Sequence, residues 1–179
     1  MTSEEIFARL RERFADKIVE WNGEVLDPYV KLVPEAIAEV AQFLRDDEAL
    51  RFDALMCLSG VDYKDDLGVV YHLNSTVFRH KITLKVDLPR DNPVLPSVAH
   101  VWRTADWHER EAYDLFGIVF ENHPDLRRIL LPDDWEGHPL RKDYVVQEYW
   151  HGMRVPFPDF DPDRGHYIFE PMPREGEES

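Results

Sequence analysis

The chain has 179 residues, 44% of them hydrophobic and 12% aromatic, which is enough to bury one core and too apolar for a disordered or fibrous protein. A formal net charge of −15 argues against nucleic acid as a ligand, because neutralising a phosphate backbone takes clustered Lys and Arg. The single cysteine, Cys57, allows no disulfide framework and cannot by itself hold an iron–sulfur cluster, which takes about four thiolates.

Thr2 and Glu5 have capping-box spacing, and Ile6, Leu10 and Phe14 recur behind them at helical intervals, which predicts a short N-terminal helix. Residues 18–32 read as extended chain broken at Asn22-Gly23 and Asp27-Pro28. Pro34 suits the first turn of a second helix, whose apolar face is Ile37, Val40, Ala41 and Leu44. Residues 51–61, 68–78 and 80–88 predict three consecutive antiparallel strands, and in the last of them Ile82, Leu84, Val86 and Leu88 alternate with polar neighbours. Pro89, Pro93 and Pro96 then stop the sheet, and Ser97 is placed to cap a short helix. A further helix is predicted over 107–116, with Gly117 as its C-terminal cap and Asp106 and Glu109 as a capping-box-like start. Beyond Phe120 the chain turns to loops with His-Pro and Pro-Asp steps, and from about Gly152 it is acidic and Pro-rich. The order of elements predicts one α+β layer pair. No apolar run approaches the roughly 20 residues of a membrane-spanning helix, and MTSEEIFARL is acidic and amphipathic, so the expectation is a protein neither secreted nor embedded in a bilayer.

The predicted helix 107–116 concentrates the chemistry. Ala112, Leu115 and Phe116 would form its apolar face, while Glu111 and Asp114 lie three apart on one side and repel unless a cation sits between them. A metal is one such cation, with His108 as a further ligand. The support is thin: no second helix offers a matching pair, and Ala112 stands where H-E-x-x-H needs its second histidine. The chain supplies cations of its own in Arg110, Arg127, Arg128, Arg141 and Lys142. The reading is a structural clasp, in which Arg–carboxylate pairs to Glu109, Glu111 and Asp114 fix segment 121–144 on the helix, each charge-assisted bond contributing about 1.5 to 3 kcal/mol. His123 and His138 each precede proline and read as extended loop residues before general bases. No G-x-S-x-G, G-x-G-x-x-G or G-x-x-x-x-G-K is present.

The run ERE-AYDLFGI-F at 109–120, followed by HPDLRRILLPDDWEGHPLRKDY at 123–144 and led in by RDNPVLPS, resembles the C subunit of bacterial NADH:quinone oxidoreductase, respiratory complex I, with the chloroplast J subunit and mitochondrial iron–sulfur protein subunit 3 as relatives. The resemblance implies an α+β fold: one mixed, largely antiparallel sheet with helices packed on it, plus an extended irregular C-terminal segment. The corresponding division is a globular domain at 1–120, an irregular docking segment at 121–151 and a Pro-rich acidic tail at 152–179. It also implies a non-redox subunit of the peripheral arm, on the cytoplasmic face of the membrane, docked to subunits D, B and I around the quinone site. No cofactor is expected in this chain. FMN, iron–sulfur clusters, NADH and quinone belong to the complex as a whole. Glu109, Arg110, Glu111, Asp114, His123, Arg127, Arg128, Pro139, Leu140, Arg141, Lys142, Asp143 and Tyr144 carry the motif as structural and interface residues, none of them catalytic. In the tail, Phe157, Phe160, Tyr167 and Phe169 are the expected apolar anchors on partners. Two alternatives stand beside this reading: the equivalent subunit of a ferredoxin-dependent or hydrogenase-type complex, and a free-standing metal-dependent hydrolase built on His108, Glu111 and Asp114.

Overall fold

The computed structural model describes residues 1–155 and the backbone of two short strands at Phe160–Asp161 and His166–Tyr167. Two compact units result, Met1–Asp143 and Tyr144–Ser179. In the first, helix α1 (Ser3–Phe14) starts on the predicted capping box: the Thr2 side chain accepts from the Glu5 amide, and the Glu5 carboxylate accepts from the Thr2 amide at 2.8 Å. Ile6, Leu10 and Phe14 are its buried stripe. The extended region at 18–32 becomes strands β1 (Ile18–Asn22) and β2 (Tyr29–Leu32), and a single turn of tighter helix at Pro34–Ala36 leads into α2 (Ile37–Asp46). Ile37, Val40, Ala41 and Leu44 are buried, as their spacing requires.

Strands β3 (Ala54–Asp62), β4 (Asp66–Asn74) and β5 (Lys81–Pro89) form the expected antiparallel meander. The five strands lie in the order β1-β2-β5-β4-β3, and only the β2–β5 pairing is parallel. The fold is therefore α+β with a mixed sheet. Val30, Leu32, Leu84, Val86, Val69, Tyr71 and Leu73 supply the buried sheet face that shares one core with α1 and α2. Leu55 and Leu58 extend that core across β3.

One expectation fails after β5. Ser97 caps no helix: residues 98–101 form only a turn, with the amides of Val101 and Trp102 both bonded to the Val98 carbonyl. The five-stranded sheet does end at Pro89, as expected, and β6 (Val94–Pro96) runs parallel to β7 (Val119–Glu121) as a separate two-stranded sheet. Proline is tolerated at such an edge because its missing N–H costs no ladder bond. Helix α3 (Ala105–Phe116) connects β6 to β7 and packs on β3, an edge strand of the five-stranded sheet. Gly60 in β3 permits this approach, because a Cβ there would lie 2.6 Å from the Phe116 ring. The Leu55 carbonyl at the same edge accepts from the Thr104 hydroxyl at 3.4 Å, so part of the edge that would template foreign strands is covered.

In the second unit, β8 (Tyr149–Trp150) and β9 (Met153–Arg154) form a hairpin closed by His151 and Gly152, both left-handed, while β10 (Phe160–Asp161) pairs antiparallel with β11 (His166–Tyr167). The expected anchors Phe157 and Phe169 lie outside the described residues. Among the described residues no helix is long and apolar enough to cross a membrane.

Candidate functional site

Helix α3 begins at Ala105, two residues before its expected start, and its N-cap is Thr104 with no side-chain cap bond. Asp106 and Glu109 therefore do not form the predicted capping box. Its C-terminus agrees with expectation: Gly117 is left-handed at φ 72°, and its amide bonds to the Tyr113 carbonyl at 2.9 Å. The buried face differs from the apolar one expected. It carries Glu109, Arg110 and Asp114 alongside Ala105 and Ala112, and three polar groups inside a core require partners.

Asp114 has the fullest set. Its Oδ1 accepts from Arg128 Nη1 at 2.8 Å, and its Oδ2 accepts from three successive amides, Ile129 at 3.1 Å, Leu130 at 2.7 Å and Leu131 at 3.0 Å. Burial alone would raise this carboxyl; the three amides and the guanidinium outweigh it and hold the group below its ordinary range. Arg128 meanwhile donates Nη2 to the carbonyls of Trp135 and Gly137, both at 3.0 Å, so one side chain ties two turns of loop to the helix.

Arg110 and Arg141 meet backbone carbonyls where carboxylates were expected. Arg141 Nε donates to the Phe116 carbonyl at 2.6 Å, and the Leu140 amide donates to the Leu115 carbonyl at 3.1 Å. His138 Nδ1 lies 2.9 Å from the Asp114 carbonyl, and burial lowers the pKa of its ring. Helix C-terminal carbonyls lack intrahelical donors and carry partial negative charge, so segment 128–141 completes the end of α3. Gly117 admits the segment: a Cβ there would fall 2.5 Å from His138 Nε2.

Glu109 has no arginine either. It is fully buried, with Oε2 accepting from the Ser97 hydroxyl at 2.6 Å and Oε1 from the Val98 amide at 2.7 Å. Burial pushes this carboxyl up to about 7, against the lowering effect of those two bonds. His123 Nε2 sits 3.8 Å from Glu109 Oε2 and 3.2 Å from the Asp106 carbonyl, while its Nδ1 accepts from the Asp125 amide at 3.0 Å. Arg110, 6% exposed, donates to the Arg127 carbonyl and lies over the Trp107 ring at 5.1 Å. Arg127 pairs locally with Asp125 at 2.8 Å on the surface.

Glu111 is exposed and has no basic partner among the described residues. The clasp thus contains one of its three expected ion pairs, Asp114–Arg128. The three ligands of the hydrolase alternative are not assembled, because Asp114 turns inward and commits its oxygens to Arg128 and backbone amides while Glu111 points outward.

Sequence reading missed a second clasp. Asp62, at the end of β3, accepts Arg90 through both oxygens at 2.8 and 2.9 Å and also the amides of Lys64 and Lys142. These bonds, led by Arg90, hold Asp62 far below the ordinary carboxylate range. Arg90 continues to Asp143 at 2.6 Å, so the motif residues Lys142 and Asp143 are fixed to the far end of the sheet, a contact spanning 80 residues of sequence. Only the bare presence of Asp62 and Arg90 at strand ends signalled it. Pro139 is half-buried and Leu140 is 52% exposed, and Tyr144 begins the second unit.

The model of the family described as respiratory-chain NADH dehydrogenase, 30 Kd subunit, matches residues 30–150, which include both clasps. The chain belongs to this family. Among curated relatives, the NADH-quinone oxidoreductase C subunit of Chloroherpeton thalassium is 53% identical over 151 residues, 83% of this chain and 63% of that protein. The C subunit of Chlorobium phaeobacteroides is 48% identical over 152 residues, 83% of this chain and 92% of that protein. The chain thus spans less than two thirds of the first relative and nearly all of the second. Among solved structures, a trypsin-resistant fragment (1–134) of Nqo5 is 33% identical with a TM-score of 0.57, covering 70% of this chain and all of the fragment. The membrane-bound sulfane sulfur reductase, an archaeal respiratory membrane complex, contains a chain of the same fold, with a TM-score of 0.70 at 23% identity over 92% of this chain and 98% of that one.

Proposed function

We propose that this 30 Kd-family chain is a non-redox subunit of a proton-translocating NADH:quinone oxidoreductase, peripheral on the cytoplasmic face of the membrane, with subunits D, B and I as its neighbours around the quinone site. The observation that carries the reading is the combination of family membership with clasped irregular chain. Segment 121–143 has almost no regular structure, yet Asp114, Arg128, Arg141 and Asp62 supply it with fixed hydrogen bonds. Loop that is already ordered loses little conformational entropy when it docks, which is what a surface joining several proteins requires. Leu130 at 61% exposure and Leu140 at 52% are the apolar contacts such a surface would offer. Relatives that are NADH-quinone oxidoreductase chains favour NADH as the donor over ferredoxin or hydrogenase-type complexes.

In this reading the chain carries no flavin, cluster or metal of its own, and the complex supplies the redox chemistry. A single cysteine supports that assignment. The test is purification from membranes through a tag on this chain. NADH:quinone activity should co-purify, with subunits D, B and I in equal amounts, whereas the chain expressed alone should retain no stoichiometric metal or flavin. Recovery free of any respiratory activity, or one tightly held metal in the isolated chain, would sink the proposal.

A further inference from the structure

Acids outnumber bases 36 to 21 in this chain, so a group of exposed arginines outside any ion pair calls for an account. Such a cluster lies at the end of the sheet where β3 begins. Arg45 and Arg103 line one surface cleft of about 260 Å³ together with Asp53, Ala54 and Leu55. Arg51 lies two residues before Asp53. The β4–β5 turn that carries Arg79 is tied to the same spot, because Asp53 accepts both the amide and the hydroxyl of Thr76. All four arginines are exposed, and none forms an ion pair among the described residues. Of the nearby carboxylates, Asp47 is engaged with Arg9 and the amides of Ala49 and Leu50, Asp46 with Gln42, and Asp53 with Thr76, the Arg51 charge also acting on Asp53, while Glu48 is exposed.

Two further features set this end apart. Arg51 and Arg79 both occupy the left-handed region, at φ 42° and 56°. Glycine or asparagine would hold either turn at lower cost, so backbone energetics do not account for arginine there. Beside them the turn exposes Val77 at 51% and Phe78 at 45%. Phe78 is held in place: its ring lies 5.8 Å from that of buried His80, which packs 4.8 Å from Phe52 and whose Nε2 meets the Leu50 carbonyl. The result is an apolar tip, fixed in position, on the turn that carries Arg79 and is bonded through Thr76 to Asp53 of the arginine-lined cleft, and arginine and aromatic residues are the types that dominate protein interfaces.

We infer that this end of the sheet, Arg45, Arg51, Arg79 and Arg103 around Val77 and Phe78, docks an acidic segment of a partner protein. Its carboxylates pair with the arginines, and an apolar side chain covers Phe78. A discrete protein segment fits better than an anionic bilayer or nucleic acid, because a wide field of negative charge would also meet the rest of a chain of net charge −15. The inference rests on the chain being a subunit of a larger assembly.

The test uses the assembled complex, isolated through a tag on another subunit. The triple variant Arg51→Glu, Arg79→Glu, Arg103→Glu should lower the amount of this chain retained at about 0.15 M salt by at least about ten-fold, and Arg11→Glu on the exposed side of α1 should not. A photo-cross-linking residue at Val77 should label a peptide rich in Asp and Glu. Normal retention of the triple variant, or a cross-link to phospholipid, to a peptide without carboxylates or to nothing, overturns the docking assignment and leaves the subunit reading intact. Absence of the wild-type chain from the assembly overturns both. Circular dichroism of the triple variant alone separates lost docking from lost folding, since these exposed side chains should leave its melting unchanged.

Discussion

Replacing Asp114 with asparagine tests the clasp at its centre. The amide oxygen can still face the amides of Ile129, Leu130 and Leu131, but its NH2 group then points at Arg128 Nη1, 2.8 Å from the atom it replaces, donor against donor. One charge-assisted bond is lost, and three others fall to neutral strength, roughly half their former value. Because Asp114 is completely buried and Arg128 is left without its counter-charge, the expected loss is about 3 to 5 kcal/mol, the usual cost of breaking a buried pair from one side. At roughly 2 to 4 °C per kcal/mol for a chain of this size, melting should fall by about 6 to 20 °C. Hydrogen exchange gives the local readout: the amides of residues 129–131 should exchange much faster than those of β4 in the same molecule. The pH dependence follows from the sign of the shift. The Asp114 carboxyl is depressed in the folded chain, so its stabilisation is present above the ordinary carboxylate range and disappears as pH falls through the folded value. The gap between wild type and Asp114→Asn should therefore close on acidification. A loss under about 1 kcal/mol with residues 129–131 still protected would refute the clasp, because the segment would then be held by something other than these bonds.

Glu109→Gln should act with the opposite pH sense. Its carboxyl is raised to about 7, so its contribution is complete below the unfolded value and is lost as pH rises through 7. The variant should gain on wild type by up to about 1.4 kcal/mol per pH unit as pH rises towards neutrality in urea titrations, and a constant difference from pH 5 to about 9 would count against the assignment. Arg90→Ala leaves Asp62 with two amides and no counter-charge; we expect about 3 kcal/mol of destabilisation and faster exchange at the Lys142 amide, which unaltered exchange there would contradict. Gly117→Ala forces a left-handed alanine, at about 1 to 2 kcal/mol, and drives its Cβ into the His138 ring. A melting point within error of wild type would mean that segment 138–141 does not rest on the helix end.

How far each feature could be read in advance depended on the range of the interaction behind it. Ile6, Leu10 and Phe14, or Ile82, Leu84 and Val86, announce burial through spacing alone, since period and solvent exposure are local properties of helix and strand. The parallel β2–β5 pairing has no such signature, because Val30 and Leu84 become neighbours only through topology. The same limit governs the site. Spacing placed Asp114 on a helix and put arginines downstream, but charge count suggested Arg–carboxylate pairs throughout. What decides the pattern instead is the unfilled valence of the helix end: the carbonyls of Asp114, Leu115 and Phe116 compete for the same donors, and they win His138, the Leu140 amide and Arg141. Glu109, cut off from every arginine, must then be satisfied by neutral donors, Ser97 and the Val98 amide, and its pKa is raised because burial outweighs the lowering by those two bonds. A carboxylate's partner is thus set by which backbone groups are left unpaired around it, and those are known only once the chain has folded.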